Sequence, residues 1–218
     1  MSMFDIEGLG EVETFNFGHE SATAVTQDAK ITQKVVEERA MKRRIKNEEI
    51  HTLAAKRLDQ LCVRPLPGEQ WRIVTEKAFN AYAFICSLLQ EGGIEDLHLA
   101  IYRINEPTVE SLIEMIEDGR IQRATIIISN FFNQTKKPER WAKRLAEFCK
   151  GHPRVTFAYL HNHSKTVCAK QGENFYVFEG SGNMSDNARI EQYTYENNRL
   201  VYEFHCEWMD RLIRELGK

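Results

Sequence analysis

The sequence contains no apolar run approaching the roughly 20 residues that a membrane-spanning helix needs. Its first residues, Met1–Gly10, carry neither the basic stretch nor the apolar core of a signal peptide, so a cytoplasmic protein without a membrane partner is the default expectation. Cysteine is sparse and poorly placed for cross-linking. Cys62, Cys86, Cys149, Cys168 and Cys206 are odd in number, widely scattered and include no Cys-x-x-Cys pair. That pattern argues against a disulfide framework and a cysteine-rich zinc site, and leaves reduced, buried thiols. Bulk charge is lacking too. A formal net charge of -3 gives no general attraction to a polyanion, so any nucleic-acid contact has to come from local clusters.

What remains is an ordinary globular composition, 42% hydrophobic and 28% charged, in 218 residues. That length accommodates one α/β domain and an appendage. Residues 1–29 show no sustained periodicity and read as an extended or poorly ordered arm. From Ile31 to Leu61 apolar residues recur at helical spacing. Between Lys34 and Arg57 eight Lys/Arg face four Glu, which makes the segment locally basic. Lys42, Arg43, Arg44 and Lys46 are its candidate phosphate contacts. The glutamates equally suit a solvated helix with i,i+4 pairs, or a dimerisation helix. Pro65 and Pro67 close this region, giving an arm (1–29), a basic helix with linker (30–68) and a catalytic domain (69–218).

Within that domain the spacing of Trp71, Val74, Ala78, Tyr82, Ile85 and Leu89 suggests a helix from Glu69 to Glu91. Strands are expected at Leu97–Ile104, Ala124–Ser129, Val155–Leu160, Lys165–Ala169 and Phe175–Glu179, the last two joined by a polar turn. Helices are expected at Pro107–Asp118 and Pro138–Cys149 (the second capped by Thr135), and from Arg199 with Val201, Phe204, Trp208, Leu212 and Leu216 inward. Alternating strands and helices imply a layered α/β domain.

One short segment carries chemistry. His161-Asn162-His163-Ser164-Lys165 enters a strand, where residues two apart share a face, so His163 and Lys165 point the same way. An imidazole can attack phosphorus while an adjacent ammonium holds non-bridging oxygens. Further on, Gly180-Ser181-Gly182-Asn183 offers glycines that admit a phosphate and an amide donor at Asn183. Glu191 is a carboxylate able to accept the second N–H of His163. His161 either lines the groove or is a solvated residue at the strand entrance. A metal reading through His161, His163, His205 and Cys206 is disfavoured by irregular spacing and by the Lys165 cation. Phe131, Phe132 and Trp141, among Lys136, Lys137 and Arg140, could stack bases or simply fill the core.

At His163, Lys165, Gly180, Ser181 and Asn183 the sequence resembles the phospholipase D superfamily, whose signature is H-x-K-x4-D-x6-G-S-x-N. It departs in two places. Lys170 stands where the family has Asp, and 14 residues separate Lys165 from Gly180, a longer interval placed here in the turn Lys170–Asn174. Single-motif nucleases of the superfamily use a downstream Glu, and Glu191 stands where that Glu would. The resemblance spans about residues 95–216. It implies a phospholipase D-like layered domain with a mixed β-sheet flanked by helices. It also implies a metal-independent, cofactor-free phosphodiesterase acting through a phosphohistidine. His163 is then nucleophile, Lys165 and Asn183 bind phosphate, Glu191 orients His163, and Ser181, Gly180, Gly182 and His161 surround the substrate. With a single H-x-K, the second histidine has to come from another subunit of a homodimer. The expected substrate is nucleic acid, DNA ahead of RNA. The alternatives are an inactive nucleic-acid-binding module of the same fold and a lipid phosphodiesterase.

Overall fold

The structure is a computed structural model that describes residues 64–76, 79–132, 139–185 and 190–216. The expected arm, the basic helix with Lys42, Arg43, Arg44 and Lys46, and Thr135 through Pro138 lie outside the described residues. In chain order the elements are β1 (Gln70–Glu76), α1 (Tyr82–Leu89), β2 (Asp96–Ile101), α2 (Glu106–Glu117), β3 (Ala124–Ser129), a 3₁₀ turn (Asn130–Phe132) and α3 (Arg140–Cys149). There follow β4 (Val155–Leu160), β5 (Lys165–Gln171), β6 (Asn174–Gly180), β7 (Ile190–Asn197) and α4 (Arg199–Leu216).

The seven strands form one mixed sheet in the order β1-β7-β6-β5-β2-β3-β4. β2, β3 and β4 run parallel, and every other neighbouring pair is antiparallel. Side chains alternate between two cores. On one face Leu97, Leu99, Ile126, Ile128 and Val167 pack against α1, α2 and α3. On the other, Ala100, Ile127, Cys168 and Val177 pack against Tyr202 and Met209 of α4. Burial on both faces explains why β2 and β3 read as nearly continuous apolar runs.

Two expectations are corrected. The helix over Glu69–Glu91 is a strand followed by a shorter helix. Ile73 is buried, Trp71 packs partly against the core, and Arg72 and Val74 face solvent, which is a period of two. Ile73-Val74-Thr75 is a β-branched run, and β7 offers it a free edge from Gln70↔Glu196 to Glu76↔Ile190. In α4 Val201, Trp208 and Leu212 pack partly against the core as expected, but the fully buried stripe is Tyr202, His205 and Met209, and Phe204 and Leu216 are exposed. Polar anchors set that rotation: the Tyr202 hydroxyl donates to Asp96 Oδ2 at 3.2 Å, and His205 Nε2 lies 3.3 Å from Glu179 Oε1.

The far end of the sheet is tied by one buried amide. Asn197 donates through Nδ2 to Asn174 Oδ1 (2.7 Å) and to the Pro65 carbonyl (3.2 Å), and its Oδ1 accepts from the Phe175 N–H (2.9 Å). It thereby fastens the lead-in to β1, the start of β6 and the end of β7. Asn197→Ala strands buried polar partners and is expected to lower unfolding free energy by about 1–3 kcal/mol in urea titrations. A loss below about 0.5 kcal/mol, the range of neutral surface changes, would show that these groups find other partners.

Candidate active site

The site arises from a short connection. β4 lies at the sheet edge and β5 lies three strands inward, beyond β3 and β2. Leu160 pairs with Ser129 and Lys165 with Ile101, so the link between them crosses the sheet almost at one level. Three strand spacings amount to roughly 14 Å. Five Cα–Cα steps reach at most about 17 Å. His161–Ser164 therefore runs nearly straight across the carboxyl ends of β3 and β2. Tyr102, just past β2, fastens it by donating its N–H to the Ser164 carbonyl at 3.0 Å. Asn162 Oδ1 accepts the Ser164 N–H at 2.9 Å.

His163 is thus laid on Tyr102, with ring centroids 4.5 Å apart. Lys165 opens β5 and brings Nζ to 3.2 Å from His163 Nδ1, 2.8 Å from the His163 carbonyl and 5.3 Å from the Tyr102 ring centre. The imidazole is exposed and the lysine half-buried. Partial burial pulls the Lys165 ammonium below its ordinary range, and the Glu191 carboxylate offsets part of that fall. Because an ammonium only donates, Nδ1 is the acceptor in this contact, and a neutral His163 carries its proton on Nε2.

The second half of the site is the segment after β6. The Ser181 hydroxyl donates to Glu191 Oε2 and accepts the Gln192 N–H at 3.0 Å. Asn183 Oδ1 accepts the Arg103 N–H at 3.0 Å, which reserves its amide nitrogen as the donor. Met184 continues the seam, its N–H donating to the Arg103 carbonyl at 3.0 Å. The glycines have a packing reason of their own. A Cβ on Gly182 would sit 2.7 Å from Tyr193 Cζ, and one on Gly180 would run into the same ring. Tyr193 is buried, and burial pushes its phenol well above the ordinary range.

A groove of about 560 Å³ opens beside these residues, lined by His163, Lys165, Gly180, Ser181 and, on the α4 side, Glu179, His205 and Trp208. The Trp208 indole N–H donates to His205 Nδ1 at 2.9 Å, so the ring's proton sits on Nε2, toward Glu179. That hydrogen bond holds the Glu179 carboxyl below its usual range.

His163, Lys165, Gly180 and Ser181 therefore share one groove, with Glu191 bonded to its Ser181 wall and within electrostatic reach of Lys165. Asn183 sits half-buried on the Arg103 side of the same loop. His161 is exposed one residue beyond β4. Lys170, the departure from the family pattern, lies at the opposite end of β5, about 16 Å away by strand rise. There it pairs with Glu95, which also accepts the Gly172 N–H at 2.9 Å. The longer interval before Gly180 lengthens the ladder, since Lys170 and Gln171 pair with Phe175 and Asn174. Phe132 and Trp141 are buried and pack on each other at 5.5 Å, whereas Phe131 is 58% exposed.

Glu179, His205 and Trp208 in the lining, and Tyr102 beneath His163, are the residues that sequence reasoning missed as a set. The i,i+3 spacing of His205 and Trp208 on one helix was the single available signal.

No family model matches this sequence, and no curated protein does. Among solved structures the chain is similar to Nuc, a phospholipase D family member from Salmonella typhimurium, with TM-score 0.47, 16% identity, and 66% of this chain and 93% of that chain covered. It is also similar to TrmBL2, an archaeal chromatin protein, with TM-score 0.46, 15% identity and coverages of 92% and 71%. A third similarity is to phosphatidylserine synthase from Haemophilus influenzae, with TM-score 0.43, 15% identity and coverages of 68% and 39%. Identities this low carry no activity from one fold to another.

The packing of Tyr193 gives a direct test of the loop. Gly182→Ala is expected to destabilise the protein by about 1–3 kcal/mol, as overpacking does. Tyr193→Phe removes a buried hydroxyl that has no hydrogen-bond partner among the described residues, and should restore part of that loss in the double variant. Additive effects in thermal melts would mean that the two positions do not press on each other.

Proposed function

We propose that this chain is a phosphodiester hydrolase, a metal-independent endonuclease that cuts DNA through a phosphohistidine in a homodimer sharing one site. The observation that carries the reading is the contact of Lys165 Nζ with His163 Nδ1 at the mouth of an open groove. A cation and a nucleophile held this close suit an anionic, electrophilic phosphorus. On substrate binding the ammonium turns to a non-bridging phosphate oxygen and releases Nδ1. A proton then moves from Nε2 to Nδ1, where Glu191 accepts it in a hydrogen bond, and Nε2 becomes the nucleophile.

The His163 nitrogen forms a bond to phosphorus, and the ester oxygen leaves with a proton from the second histidine, His163 of the other subunit. Water then attacks the phosphohistidine. It gives its proton to that second histidine and frees the first. Asn183 donates to a phosphate oxygen, and Ser181 braces Glu191. The choice of DNA rests on the motif resemblance, and the basic segment with Lys42, Arg43, Arg44 and Lys46 is its proposed phosphate contact.

Plasmid incubated with the protein in excess EDTA should be nicked or linearised, and His163→Ala should abolish cleavage while leaving the circular dichroism spectrum unchanged. Activity that disappears in chelator and returns with added magnesium or zinc would contradict the mechanism.

A further inference from the structure

Beside the phosphate-facing groove lies an aromatic cluster that the chemistry above does not use. Tyr102 carries His163 on one side, and on another it meets Phe132 at 5.5 Å with planes 63° apart. Phe131 stands 6.5 Å from Tyr102 with an interplanar angle of only 32°. It crosses Phe132 nearly at right angles, 84° at 5.2 Å. The three ring centroids thus form a triangle, with Phe131 and Tyr102 the least inclined pair and Phe132 steeply inclined to each. The third, Phe132, is buried and backed by Trp141, so it is fixed by the core. Phe131 is different. The residue is 58% exposed in the 3₁₀ turn just past β3, where the carboxyl ends of parallel strands commonly present ligand-binding groups. A large apolar ring held by a rigid neighbour and left facing water is a stacking surface.

We infer that Phe131 and Tyr102 form a platform that stacks an unpaired base of the substrate beside the phosphate attacked by His163. The inference rests on the phosphodiesterase reading and sharpens it, since a base within a duplex is already stacked on its neighbours. The favoured substrate is then single-stranded nucleic acid, or a duplex with a frayed or flipped base. A nucleic acid carries a flat aromatic ring one sugar away from each phosphorus. Lipid headgroups carry none, and a choline or an acyl chain would meet the phenylalanine without the flat face-to-face contact that a base makes. Lys165 over the Tyr102 ring joins the two halves, because one cation touches both the phosphate site and the platform.

The test uses the full chain and three probes: a single-stranded oligodeoxynucleotide, its blunt duplex, and a single strand with an abasic tract. Wild-type protein should bind and cut the intact single strand best. Phe131→Ala should raise KM for that strand by roughly tenfold with kcat little changed, as loss of one base-stacking ring does. The penalty should vanish on the abasic strand, Phe131→Tyr should restore the wild-type KM, and Phe131→Leu should not. An equal penalty on intact and abasic strands, or a full rescue by leucine, overturns the platform. Fluorescence anisotropy of the His163→Ala protein on the same probes separates the two layers of the argument. A Phe131-dependent preference for the intact strand in a protein whose parent cuts nothing would sink the hydrolase and keep the platform. Cleavage with no such preference would do the reverse.

Discussion

The site depends on the reach of the chain between β4 and β5. Four residues, His161–Ser164, cover three strand spacings, and they do so only by running straight over the carboxyl ends of β3 and β2. That leaves little freedom in where His163 lies. It rests on Tyr102 because Tyr102 is the residue at the end of β2, and the backbone bond from Tyr102 to Ser164 locks the crossing. A longer connection would lift the imidazole off the sheet, and Lys165, the first residue of β5, would then stand alone. Placing both groups on one strand entrance of a rigid sheet is the kind of support that preorganised chemistry needs.

The same rigidity shapes the opposite wall. The loop after β6 is held between Arg103, Met184 and the Tyr193 ring, so Ser181 and Asn183 are set by backbone contacts and have little room to drift. Electrostatically the groove is mixed, with Lys165 facing Glu191 and the Glu179–His205 pair on its α4 side. Among the described residues one cation, Lys165, faces two carboxylates, an arrangement that opposes each further negative charge on a ligand. By donating to His205 Nδ1, Trp208 fixes the tautomer whose Nε2–H faces Glu179.

Much of this was legible in the sequence, for local reasons. β3 and β4 have their expected ends because each is a short apolar run bounded by polar residues, and α4 begins at Arg199 as its periodicity indicates. His163 and Lys165 were legible as a pair two apart at a strand entrance, although His163 lies in the crossing link and the two meet because Lys165 Nζ turns back to it. β1 was not. Trp71, Val74 and Ala78 satisfy helical spacing, and only the edge offered by β7, more than a hundred residues later, decides for a strand. The rotation of α4 was hidden for a related reason: Tyr202 and His205 turn inward to meet Asp96 and Glu179, and a hydrophobicity pattern does not register such partners. Tyr102 had no local mark at all. Its place follows from strand order, which brings β5 beside β2.

The central claim is that His163 becomes covalently bonded to phosphorus within a site shared by two chains. The most direct measurement is mass spectrometry of protein quenched in base during turnover of a phosphodiester substrate. The expected result is a phosphorylated adduct on the peptide carrying His163, at a maximum of about one for every two chains, because a two-fold site holds one phosphorus. An adduct on His205 or any other side chain, a full complement of one per chain, or rapid hydrolysis with no adduct at any quench time would contradict the account.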